Sequence, residues 1–130
     1  MNILIYGTQG EKELLIQHMK SEASTAFRLI NDVHTDNYDE YVDLLRENVY
    51  DVIFVMADNA GGMEGVIAAQ TIDSEVPIVW FTNDKNFVAQ SYRLGVAYFS
   101  VKPIDEKQVR LALQRCQQKI DINKDKEETA

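Results

Sequence analysis

Cysteine, proline and basic residues are all scarce in this chain. Its 130 residues include a single cysteine, Cys116, so no internal disulfide can close, which suits a reducing compartment. Two prolines and six glycines exclude a collagen-like or low-complexity chain. No apolar run approaches the roughly 20 residues needed to cross a bilayer. The opening MNILIYG has no basic lead, and its apolar run is too short for a secretory signal; a cytoplasmic location is the expectation. Lys and Arg number 13 against 21 Asp and Glu, a net charge of −8. That balance argues against a nucleic-acid or anionic-membrane surface on this domain. His18 and His34 lack metal-ligand spacing and read as structural. Gly7-Thr8-Gln9-Gly10 lacks the G-x-G-x-x-G spacing of a dinucleotide loop.

What the chain does have is 45% hydrophobic residues, enough at this length for one domain with a core that needs no disulfide or metal. Short apolar runs alternate with amphipathic stretches. Strands are expected at Asn2–Tyr6, Ala26–Val33, Asp51–Met56, Pro77–Phe81 and Ala97–Val101. Helices are expected at Glu11–Ser21, Asp36–Glu47, Gly61–Ile72, Asp84–Leu94 and Asp105–Lys119, with Gly95 stopping the fourth. Cys116 falls on the core stripe of the last helix, as a small buried hydrophobe. Residues 120–130 are charged and aperiodic and read as a frayed tail or the start of a linker. Strand and helix thus alternate five times. Near-continuous apolar strands imply a parallel sheet covered by helices on both faces. In such a doubly wound fold, function gathers at the carboxyl ends of the strands.

Three segments carry a family resemblance: VPIVWFT, with Thr82 ending the fourth strand; RLGVAYFSVKPID around the fifth; and GGMEG after the third. Together with the order of elements they make residues 1–118 resemble the receiver domain of bacterial response regulators, with an affinity to the LytTR type. The resemblance implies a flavodoxin-like five-stranded sheet in the order 2-1-3-4-5. It implies a signalling domain rather than an enzyme, one that accepts a phosphoryl group from a histidine kinase onto an aspartate at the tip of the third strand. That chemistry needs two acids after the first strand to hold Mg²⁺. A hydroxyl after the fourth strand and a lysine after the fifth contact the phosphoryl oxygens.

By this resemblance Thr82 matches the hydroxyl position, Lys102 the lysine, Pro103 the proline that follows it, usually through a cis bond, and Phe99 the aromatic switch position. The acid pair falls on Gly7 and Thr8, both neutral. The nucleophile falls on Met56 counted along the strand, or on Ala57 counted back from GMEG. Neither Met56 nor Ala57 can be phosphorylated or hold a metal, and no cofactor is expected. Asp58 arrives two residues late. A strand prolonged to reach it would carry its carboxylate about 6–7 Å too far, past the pocket between Thr82 and Lys102. As an ordinary loop acid it would pair with Lys102, stay solvated or cap the next helix, and Thr82 would cap the helix at 84–94. The expectation is a receiver fold without phosphoryl transfer, stable without Mg²⁺. It would act on a protein partner or a second copy through the face built from residues 84–119, with Tyr92, Arg93, Tyr98, Lys107 and Arg110 as contacts. An output domain outside this chain is plausible for the family. Two alternatives stay open: a phosphorylatable receiver using displaced Asp58, and a small flavodoxin-like binder of another anion.

Overall fold

Three runs of buried residues set the centre of the sheet. β1 (Asn2–Tyr6) and β3 (Val52–Val55) pair in parallel, with Ile3 opposite Val52, and β4 (Ile78–Thr82) adds to β3 with Ile53 opposite Ile78. β2 (Asn31–Thr35) and β5 (Tyr98–Val101) close the two edges, giving five parallel strands in the order β2-β1-β3-β4-β5. This computed structural model describes residues 1–21 and 29–129. The helices are α1 (Gln9–Ser21), α2 (Tyr38–Glu47), α3 (Asn59–Ile72), α4 (Val88–Leu94) and α5 (Glu106–Thr129), with a 3₁₀ turn at Lys85–Phe87 before α4. The flavodoxin-like architecture expected from the sequence is the one found.

Strand alternation sorts the core into two layers. Ile3, Ile5, Phe54, Met56, Val79 and Phe81 face α1 and α5, meeting Leu15, Met19, Val109, Leu113 and Cys116. Leu4, Tyr6, Ile53, Val55, Ile78 and Trp80 face the other way, onto Tyr41 and Leu45 of α2 and Val66 and Ala69 of α3. Cys116 is fully buried, and burial pushes its thiol up to about 12. Modification by a thiol reagent therefore has to wait for opening of α5. We expect labelling of the native protein to run at least about a thousandfold slower than in denaturing urea, in line with a domain of ordinary stability; comparable rates would mean that α5 is not docked as described.

Two elements differ most from the sequence reading. The second strand was expected at Ala26–Val33, but β2 runs Asn31–Thr35; the portion of that expectation at 26–28 lies outside the described residues. Its position is fixed by pairing, Asn2 opposite Asn31 and the Asn31 amide on the Met1 carbonyl at 2.8 Å. Apolar Leu29 stays 82% exposed. An edge strand covered on one side tolerates Asn31 and Asp32, so the apolar run misplaced it. The expected tail is instead helix: α5 continues to Thr129. Asp105 and Gln108 exchange amide-to-side-chain bonds at its start (2.9 and 2.8 Å), a reciprocal cap. Further on, Asn123 Nδ2 donates to the Glu75 carbonyl at 2.9 Å. Ile120 still packs against the core, but beyond it the tie is polar, so apolar periodicity could not reveal it. Gly95 ends α4 in the left-handed conformation (φ 65°), as expected of a glycine stop.

Candidate functional site

The tips of β1, β3 and β5 converge on the ammonium of Lys102. Its Nζ donates to Glu11 Oε2, to the Met56 carbonyl and, at 2.7 Å, to Asp58 Oδ1. Three donors meet three acceptors, so the charge is satisfied. The side chains of Lys102, Glu11 and Asp58 are 17%, 23% and 43% exposed, a partly shielded ion triplet rather than a surface pair.

Each partner is placed by local chemistry. Thr8-Gln9-Gly10-Glu11 is a capping box at the start of α1: Thr8 Oγ1 accepts from the Glu11 amide at 3.2 Å, and Glu11 Oε1 accepts from the Thr8 amide at 2.9 Å. That leaves Glu11 Oε2 for Lys102. Glu11 was not singled out in the sequence reading, although the T-x-x-E spacing was there to find. Lys102 is set by β5, with its own amide on the Thr82 carbonyl at 2.8 Å, and the following Lys102–Pro103 bond is cis, as the resemblance implied.

Asp58 does not overshoot. It is a loop acid paired with Lys102, one of the three roles expected for it, because β3 ends at Val55 and Asn59, at φ 58°, turns the chain into α3. The loop folds back, and Asp58 reaches Lys102 without making a side-chain cap to α3. α3 itself begins at Asn59, two residues before the expected Gly61.

The remaining positions are committed elsewhere. Met56, where the nucleophile would sit, is buried in the core layer under α1 and α5. A Cβ on Gly7 would lie 2.9 Å from Met56 Cβ, so the tips of β1 and β3 approach too closely here for a side chain at position 7 without a shift. His34 Nε2 donates to the Gly7 carbonyl at 2.7 Å, a structural tie between β2 and the β1 tip. Thr82 is fully buried and its Oγ1 accepts from the Asp84 amide at 3.3 Å, while Asp84 Oδ1 caps the 3₁₀ turn through the Asn86 amide at 2.8 Å. Phe99 stands edge-on to Trp80, ring centres 5.3 Å apart.

Among the described residues no group of three or more His, Cys, Asp or Glu could hold a metal. The residues do not fit Mg²⁺: Gly7 and Thr8 offer no carboxylate, and the two carboxylates that reach the pocket hold the lysine. Beside the triplet lies a hollow of about 260 Å³ lined by Glu11, Leu14, Met56, Lys102, Pro103 and Ile104. Its largely apolar wall offers an anion only a cation that is already paired.

The expected interaction residues divide. Tyr92 (84% exposed) and Tyr98 border a hollow of about 300 Å³ between α4 and the edge of β5, together with Phe99 from the switch position and with Val88 and Arg115, which the sequence did not flag. Arg93, Lys107 and Arg110 are exposed but lie outside that lining.

No protein-family model matches the chain, and no curated protein matches it. Solved structures do. The receiver domain of NtrX from Brucella abortus superposes with a TM-score of 0.71 at 14% identity, covering 89% of this chain and 97% of that one. Response regulator TrrA from Thermotoga maritima, in complex with Mg²⁺ and beryllofluoride, gives 0.69 at 13%, covering 88% and 96%. A candidate CpaE2 pilus assembly protein from Sinorhizobium meliloti gives 0.68 at 16%, covering 89% and 99%. In the longer NtrX chain, the matching part is 28% of the length. At such identities the shared property is the fold: this chain has the fold of response-regulator receiver domains.

Proposed function

We propose that the chain is an atypical response-regulator receiver, of the LytTR-like kind its sequence resembles, that signals by protein–protein interaction without phosphoryl transfer and is not an enzyme. The observation that carries this reading is the Lys102 ammonium held by Glu11, the Met56 carbonyl and Asp58, with Met56 and Gly7 in the nucleophile and acid positions. An internal cation holds both carboxylates that reach the place Mg²⁺ and a phosphoryl group would need, and so offsets part of their charge within the chain. The partner, a protein or a second copy, would meet the α4–β5–α5 face around Tyr92, Tyr98 and Arg115, and an output domain in a longer protein would read the result.

A second reading, in which Asp58 accepts a phosphoryl group in a shifted frame, is favoured by one feature: its carboxylate reaches the pocket and is 43% exposed. Amide NMR during titration with Mg²⁺ and then beryllofluoride separates the two, with an intact-site regulator such as TrrA as the positive control. We expect no specific shifts at Asp58, Thr82 and Lys102, and no rise in melting temperature with millimolar Mg²⁺. Saturable shifts at those residues would replace the first reading by the second.

A further inference from the structure

The only tryptophan in the chain, Trp80, lies fully buried on β4 in the core layer that faces α2 and α3, and its indole N–H has no hydrogen-bond partner among the described residues. Buried donors are almost always paired, so this one marks an arrangement that a small movement would improve. The nearest candidate acceptor is evident from Gly62. A Cβ built on that glycine would lie 2.4 Å from the Ala57 carbonyl oxygen and 2.9 Å from Trp80 Nε1. The indole and the Ala57 carbonyl thus flank the same notch in the first turn of α3, near each other but unbonded.

Ala57 is pinned from both sides. Lys102 bonds the carbonyl of the residue before it, Met56, and the side chain of the residue after it, Asp58. On its other flank Trp80 touches the elements that build the exposed face. Phe87, from the 3₁₀ turn before α4, and Phe99, from β5, both lie with ring centres 5.3 Å from the indole. One rigid side chain therefore borders the notch beside the clamped loop and packs on two aromatics, of which Phe99 lines the hollow beside Tyr92 and Tyr98.

We propose that Trp80 is a conformational relay held in its unbonded state by the Lys102 clamp. Release of Asp58 from Lys102 frees Ala57 to rotate its carbonyl onto the indole N–H. The indole follows, and Phe87 and Phe99 repack with it, reshaping the hollow at the edge of β5. The natural trigger is a cationic side chain of a partner that captures the partly exposed Asp58 carboxylate in place of Lys102. The relay requires neither phosphate nor metal and operates in the isolated domain, so its test is independent of the partner proposed above.

The lone indole gives a single, unambiguous NMR signal. In Asp58→Asn, which keeps the side-chain shape but removes the charge that holds Lys102, the indole N–H resonance should move downfield. Its solvent exchange should slow by about tenfold as the proton becomes hydrogen-bonded, and the Phe87 and Phe99 amides should shift. Glu11→Gln, which loosens the clamp from the α1 side, should give the same pattern more weakly. In Asp58→Asn combined with Trp80→Phe, the Phe87 and Phe99 shifts should disappear. An indole signal and exchange rate unchanged in folded Asp58→Asn would overturn the proposal, as would Phe87 and Phe99 shifts that persist without the indole.

Discussion

Lys102→Met lowers the stability of the fold by about 1–3 kcal/mol, below the cost of breaking a fully buried pair because the triplet is partly solvated. Methionine keeps much of the length and apolar stem of lysine but not the ammonium. Glu11 and Asp58 are then left facing each other without their cation, and the Met56 carbonyl loses a donor. Repulsion between the carboxylates adds to the loss of attraction. For a domain of this size the melting temperature should fall by roughly 3–10 °C. The loss should shrink in high salt, since the group is not sealed from solvent. A triple variant that also carries Glu11→Gln and Asp58→Asn should recover most of it, because the uncompensated charges go with the cation. Differential scanning calorimetry decides the matter. A Lys102→Met protein that melts with the native one would mean that the triplet contributes nothing and that Lys102 is an ordinary solvated lysine.

The triplet also shows where sequence reading reaches its end. β1, β3 and β4 were legible because strands buried on both faces are apolar along nearly all their length, as ILIY, VIFV and IVWF are. The edge strand β2 was not, because what places it is pairing with β1 rather than the apolar content of the residues before it. At the site, the neutral residues Gly7 and Met56 could be read directly. What they were exchanged for could not. Glu11 announces itself locally as one half of a capping box, but its second oxygen meets a lysine 91 residues away, and no local pattern encodes that. Asp58 could be read as a loop acid with three possible roles, of which the pair with Lys102 is the one found; what selects it, the left-handed Asn59 that turns the chain, is an ordinary residue in the sequence. Interactions that depend on one backbone torsion or on distant side chains are decided by the tertiary structure, which is where the chemistry of this pocket resides.

The pair Gly61 and Gly62 offers the sharper test of how tightly the site is packed. Both lie in the first turn of α3, and by helix propensity alone either should gain about 1 kcal/mol on replacement by alanine. Their surroundings differ. A Cβ on Gly61 meets only the Ala57 Cβ, at an ordinary 3.8 Å, so Gly61→Ala should stabilise the protein by up to about 1 kcal/mol. A Cβ on Gly62 would stand 2.4 Å from the Ala57 carbonyl and 2.9 Å from Trp80 Nε1. Neither neighbour is the free end of a flexible side chain: one is backbone, the other a ring wedged between Phe87 and Phe99. Relieving the overlap means moving the loop that Lys102 holds, and overpacking of this kind costs about 3 kcal/mol, more than the propensity gain returns. Gly62→Ala should therefore lose about 2 kcal/mol net in urea unfolding, by the same two terms. Two substitutions identical in chemistry and adjacent in sequence are thus expected to move stability in opposite directions. If both stabilise, the loop from Met56 to Asn59 has slack, and the close approach of α3 to Trp80 cannot be what fixes its position.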